Sequence, residues 1–161
     1  MAPDYTFHPI SSGDLSLIRT WLETPEVAHW WGQPAEQYAL VSGDRDHPDM
    51  DQFIVAIDNH PFGYIQCYAL STWNQNFGPQ PPRTRGIDQF IGEPDMIGRG
   101  HGSSFIRQFA DILLTSGIPR VVTDPDPDNG RAVRAYAKAG FQSDRVVDTP
   151  DGPALLMVRN P

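Results

Sequence analysis

Ile97-Gly98-Arg99-Gly100-His101-Gly102-Ser103 is the stretch on which the fold reading turns. An apolar run at Gly86–Ile91 and the turn residues Gly92-Glu93-Pro94 precede it. Phe105, Ile106, Phe109, Ile112 and Leu113 follow, spaced i, i+1, i+4, i+7, i+8. That spacing lines one face of a helix, so the segment reads as strand, glycine-rich turn, helix. The first N–H groups of a helix have no internal partner, and they sit at the positive end of its dipole. Glycines let a ligand approach such a turn closely. Two readings stay open, an anion-binding turn and a tight turn that holds nothing. The spacing matches neither Gly-Lys-Ser/Thr nor G-x-G-x-x-G, which removes the P-loop and the dinucleotide fingerprint. Gly-x-Ser-x-Gly is absent as well, and with it the usual hydrolase elbow.

Working outward, Tyr5–Ile10 alternates as a short strand. Ser12 is placed to cap a helix over Gly13–Glu23, with Leu15, Ile18, Trp21 and Leu22 on one face. Thr24-Pro25-Glu26 restarts a helix that carries Val27, Trp30 and Trp31, because proline suits a first turn. Gln33-Pro34 opens a third helix through Leu40 and Val41, and Gly43–Asp51 reads as a polar loop. Phe53–Ile57 and Gly63–Leu70 form a hairpin about Asp58-Asn59-His60-Pro61. Ser71–Arg83 is a long loop, a feature that is often functional in compact domains. Arg120–Thr123 is a strand, Asp124–Asp128 a loop, and Asn129–Ala139 a helix with Asp128 as its expected cap. Phe141–Asp148 and Ala154–Arg159 pair through Thr149-Pro150-Asp151-Gly152. This order predicts a mixed α/β (α+β) sheet with both parallel and antiparallel pairs. The length, 161 residues, predicts a single domain over 1–161.

Twelve Lys and Arg against 20 Asp and Glu give a net charge of −8. A field of that sign repels nucleic acid and anionic membranes and attracts cationic small molecules. No run approaches the ~20 apolar residues of a membrane helix, and no basic segment precedes an apolar one at the start. The single cysteine, Cys67, makes neither an internal disulfide nor a thiolate cage. A reduced, cytoplasmic protein, monomer or homodimer, is expected. The five histidines show no paired metal spacing. Asp124-Pro125-Asp126-Pro127-Asp128-Asn129-Gly130 imitates a calcium loop, but Asn129 stands at its sixth position and Ala135 at its twelfth. No metal site is expected.

Trp30, Trp31, Tyr64, Tyr68 and Trp73 recur through the N-terminal half. Neighbouring helical residues point about 100° apart, so Trp30 and Trp31 cannot share one core. Core packing is the favoured role for each aromatic taken singly.

Four stretches then occur in a telling order: Gly86-Ile87-Asp88-Gln89, Ile97 to Gly102, Thr123-Asp124-Pro125-Asp126-Pro127-Asp128-Asn129, and Arg131-Ala132-Val133-Arg134-Ala135-Tyr136-Ala137-Lys138-Ala139-Gly140-Phe141. Together they resemble the GNAT superfamily of acyl-CoA N-acyltransferases, and within it the aminoglycoside 6′-N-acetyltransferases. Thr149-Pro150-Asp151-Gly152-Pro153-Ala154 and Trp30-Trp31-Gly32 add to the likeness. The resemblance implies a central mixed sheet flanked by helices and acetyl-CoA as acetyl donor. It implies that Ile97, Gly98, Arg99, Gly100, His101, Gly102 and Ser103 hold the coenzyme pyrophosphate, and that Asn129 touches the pantetheine arm. Ile97 stands where many members carry Gln or Arg. Asp88 and Asp124 would line the amine site, with Asp88 as base, and Trp31 and Tyr64 would complete its wall. Tyr136 would protonate the departing thiolate. One departure is that Ser71-Thr72-Trp73-Asn74-Gln75-Asn76-Phe77 contains no acid, where the aminoglycoside enzymes carry several. Alternative readings are an acyltransferase of siderophore or polyamine metabolism and a non-catalytic acyl-CoA or antibiotic-binding module.

Overall fold

Seven apolar or alternating runs become strands in the computed structural model, which describes residues 3–73 and 76–161. Asn74 and Gln75, part of the acid-free loop noted above, lie outside the described residues. The strands are Tyr5–Pro9 (β1), Met50–Ile57 (β2), His60–Ala69 (β3), Arg85–Ile91 (β4), Val121–Thr123 (β5), Gln142–Thr149 (β6) and Gly152–Arg159 (β7). They form one mixed sheet in the order β1-β2-β3-β4-β5-β7-β6. Three helices separate β1 from β2, namely Leu15–Leu22 (α1), Pro25–Trp31 (α2) and Pro34–Asp44 (α3). His101–Thr115 (α4) links β4 to β5, and Gly130–Lys138 (α5) links β5 to β6. No helix among the described residues is long and apolar enough to cross a membrane.

The chain divides into two compact units, one ending at Gln66 and resuming over Gln89–His101, the other made of Cys67–Asp88 and Gly102–Pro161. In the first, β1 lies antiparallel to β2, with Tyr5 opposite Ile57 and Pro9 opposite Phe53. Asp58 and Asn59 turn β2 into β3 at φ of 49° and 63°, the left-handed pair that a tight hairpin of this kind uses. Ile18, Trp21, Leu22, Val27, Val41, Ile54, Tyr64 and Phe90 form its core. The spacing of Ile18, Trp21 and Leu22 buries one face of α1, as expected for a stripe of period 3.6. Trp31 packs edge-on against Phe90 with ring centroids 5.1 Å apart, while Trp30 turns the other way onto His29 at 4.5 Å. The two tryptophans do point apart.

In the second unit β4 runs parallel to β5, β5 antiparallel to β7, and β7 antiparallel to β6. Helix α4 buries Phe105, Ile106, Phe109 and Ala110. Ile112, expected on this face, is instead 57% exposed. At 100° per residue it stands about 90° from the centre of the buried arc, and it lies near the helix end. Arg159 bridges to Asp111 and also donates to the Arg107 carbonyl, tying β7 to α4.

Local chemistry corrects three boundaries. Ser11, not Ser12, caps the first helical turn, because its backbone N–H and hydroxyl both donate to the Asp14 carboxylate. Asn129, not Asp128, caps α5, its side-chain oxygen accepting the Ala132 N–H at 3.3 Å. The loop expected at Gly43–Asp51 is shorter, because α3 continues to Asp44 and β2 begins at Met50.

Candidate active site

The parallel ladder between β4 and β5 decides which groups meet. Arg85 pairs with Val121 and Gly86 with Val122. Two residues further along each chain, the same register sets Asp88 abreast of Asp124, and the period of two puts both side chains on one face. The buried Thr123 hydroxyl holds that register by donating to the Ile87 carbonyl at 3.0 Å. Thus the carboxyl groups of Asp88 and Asp124, 36 positions apart in sequence, hydrogen-bond to each other.

Two carboxylates this close cannot both ionise, so a proton stays between them. Burial, the Asp88 charge and the hydrogen bond to Asp88 push the Asp124 carboxyl from 3.8 up to about 8, with the Asp151 charge adding to the effect. At neutral pH the Asp124 carboxyl keeps its proton. The two titrate as one unit.

Tyr68 and Tyr136 adjoin this pair. Tyr68 is 3% exposed and Tyr136 4% exposed. Burial pushes the Tyr68 phenol well above its ordinary value, and the charges of Asp88 and Asp124, then those of Tyr136 and Cys67, act the same way. Trp73 meets the Tyr68 ring edge-on at 5.9 Å, and Phe141 meets the Tyr136 ring at 5.6 Å. Tyr136 lies on the inner face of α5, whose start Asn129 fixes through its cap. The lone cysteine, Cys67, is buried, and its sulfur accepts the Arg85 Nε–H at 3.2 Å.

The turn at Ile97–Ser103 has the backbone that its glycines predict. Gly98 and Gly100 adopt φ of +77° and +82°, both are exposed, and nothing lies within 4 Å of where a Cβ would stand. The turn delivers its N–H groups to the N-terminus of the 15-residue α4. His101, the first helical residue, is anchored from β1, since the Tyr5 hydroxyl lies 2.8 Å from its Nδ1. The Phe62 ring sits beside the imidazole at 5.4 Å.

The remaining expected residues lie in the first unit. Trp31 is half-buried, with Tyr64 at 6.1 Å and Phe90 at 5.1 Å. Tyr64 is fully buried, stacks on Phe90 at 5.3 Å and donates its hydroxyl to Gln66 Oε1 at 2.8 Å. Its surroundings fit the core-packing role that the sequence favours for a lone aromatic. The sequence offers no signal that sets Tyr68 apart, since it lies in a continuous apolar run. Among the described residues no three or more His, Cys, Asp or Glu side chains cluster as a metal site.

The Asp124 proton makes stability depend on pH. The folded chain keeps this proton up to about pH 8, whereas the unfolded chain sheds it near 3.8. A raised carboxyl therefore contributes stability that is whole below the unfolded value and is lost as pH rises through about 8. Asp124→Asn is expected to remove that loss, leaving a shallower decline in melting temperature between pH 5 and 9. Parallel melting curves for the variant and the wild type would contradict the shared proton.

Comparison with known proteins adds the family likeness. Residues 11–149 match the model described as an acetyltransferase (GNAT) domain. An aminoglycoside N(6′)-acetyltransferase type 1 from Klebsiella pneumoniae is 30% identical over 167 residues, covering 96% of this chain and 82% of that protein. The aminoglycoside acetyltransferase AAC(6′)-Ib solved with coenzyme A and kanamycin superimposes with a TM-score of 0.84 at 30% identity, over 98% of this chain and 95% of that one. The same enzyme solved with paromomycin and acetyl-CoA gives a TM-score of 0.87 at 29% identity, over 98% and 93%.

Proposed function

The chain belongs to the GNAT acetyltransferase family, and from that membership we propose that it transfers acetyl from acetyl-CoA to the 6′-amine of an aminoglycoside. The observation that carries this reading is the abutting Asp88–Asp124 pair, a site for a cationic amine on a chain of net charge −8. The similarity to enzymes solved with kanamycin and with acetyl-CoA supports the choice of both substrates. The family match at 11–149 runs through both units, which supports the reading of 1–161 as one functional domain.

The residues fit the donor. The open positive-φ glycines Gly98 and Gly100, with Ile97, Arg99, His101, Gly102 and Ser103, present helix N–H groups that suit a pyrophosphate. Holding it by backbone explains why Ile97 serves where a polar side chain is common. Asn129 caps the start of α5, and its assignment to the pantetheine arm rests on the motif it stands in. When bound, the donor supplies an acetyl thioester that a neutral amine attacks directly, so no nucleophilic side chain is required.

Asp88 holds the acceptor ammonium through charge-assisted hydrogen bonds and takes its proton, directly or through water. Asp124, protonated at neutral pH and hydrogen-bonded to Asp88, keeps the pair at a single negative charge. The Tyr136 hydroxyl holds the proton for the departing sulfur.

The test is to incubate the protein with acetyl-CoA and a panel of aminoglycosides, polyamines and hydroxylamines, following free thiol and product mass. A single acetyl group added to an aminoglycoside bearing a 6′-amine is expected, with an acceptor KM that rises with salt because the pairing is screened over roughly 8 Å at physiological ionic strength. Transfer only to a polyamine or a hydroxylamine would replace this reading with the siderophore or polyamine alternative. No turnover at all would favour a binding module.

A further inference from the structure

The Tyr68 ring ends over Gly86. A Cβ built on Gly86 would stand 2.4 Å from its Cζ and 2.6 Å from its hydroxyl oxygen. Any side chain at 86 would displace the phenol, so the glycine is what admits it. Residues 86 and 88 share a face of β4, and this places the hydroxyl on the face that carries Asp88 and, through the register, Asp124. The side chain is 3% exposed. Asp88, Asp124 and Tyr136 all act on it electrostatically.

A neutral phenol oxygen on the strand face that carries two carboxyl groups stands where a cationic amine is drawn. We propose that the Tyr68 hydroxyl is a substrate-binding group of the acceptor site, its oxygen receiving one N–H of the acceptor ammonium beside the Asp88–Asp124 pair. This deepens the proposed function and rests on it. A primary ammonium has three N–H donors, and Asp88, Asp124 and Tyr68 offer it three oxygens. The phenol is held in its protonated form by burial and by the two carboxyl groups. It adds an acceptor without adding charge, and it keeps its own proton to donate to a carboxylate. Trp73 meets the Tyr68 ring edge-on.

Tyr68→Phe tests this directly, because it removes the hydroxyl and keeps the ring. The expected result has three parts. The melting temperature stays equal to wild type or rises, the KM for acetyl-CoA is unchanged, and the KM of the best aminoglycoside rises about tenfold or more, the range for a lost hydrogen bond to a charged group, with kcat altered less than the KM. A lower melting temperature with an unchanged acceptor KM would overturn the proposal and make the hydroxyl structural. A rise of equal size in both KM values would overturn it too. Calorimetric titration of the aminoglycoside into the wild type and the variant without donor gives a second readout, in which equal affinities would contradict the proposal. Should the wild type acetylate no aminoglycoside, the functional reading itself fails, and that failure is visible before the variant is made.

Discussion

Asp88→Asn is expected to lower kcat for the best amine acceptor by about 10²–10⁴-fold, the usual contribution of a general base. Asparagine keeps the shape of the side chain and its capacity to accept from Asp124. It carries no charge to hold an ammonium, and it takes no proton. Asp88 is half-buried beside a partner carboxyl, so the substitution also removes a repulsion and folding should not suffer. The KM for acetyl-CoA is expected to stay at the wild-type value, since Gly98–Ser103 is untouched. Loss of the Asp88 charge removes one cause of the raised Asp124 carboxyl, while burial, the larger cause, remains, so Asp124 gives up its proton more readily than in the wild type. Residual activity in Asp88→Asn should therefore fall further in the double variant with Asp124→Asn. A surface substitution usually stays within about 0.5 kcal/mol, far below a hundredfold rate loss. If Asp88→Asn keeps wild-type turnover, Asp88 is a bystander and the base lies elsewhere.

Tyr136→Phe is expected to cost about 10²-fold or more in kcat, again within the range for a general acid. The ring of Tyr136 is buried against Phe141, so phenylalanine preserves that packing and removes the proton source alone. The diagnostic measurement replaces the donor by an acetyl thioester of a more acidic thiol. A leaving thiolate of low basicity needs little protonation, so the deficit of the variant should shrink severalfold with such a donor. A purely structural role would leave the deficit the same for both donors. Equal turnover of wild type and variant on acetyl-CoA would remove Tyr136 from the chemistry.

The tyrosines separate what was legible in the chain from what was not. Tyr136 stands out in the sequence by its place in a motif, at the apolar face of a helix with periodic signals and a glycine stop, and α5 sits where the pattern put it. Tyr68 lies in a continuous apolar run, where no periodicity distinguishes a core ring from a site ring. The caps show the same limit on a smaller scale. Ser11 and Ser12 are adjacent, as are Asp128 and Asn129, and in each pair either side chain has the right chemistry. Only the backbone angles select which one meets the free N–H groups.

What the sequence determined by itself is therefore local and periodic: the helices with their buried stripes, the hairpin at Asp58-Asn59, and the glycine turn at Gly98–Gly102 with the helix behind it. These follow from steric and hydrophobic preferences that act over a few residues. The pairing of Asp88 with Asp124 followed from no such preference. It depends on a parallel register between β4 and β5, strands separated in sequence by a whole helix, and a one-residue slip in that register would turn one carboxyl to the opposite face. The proton held between the two groups exists only because that register brought two carboxyl groups together under burial. Burial and proximity, unlike helical period, are properties of the folded chain alone.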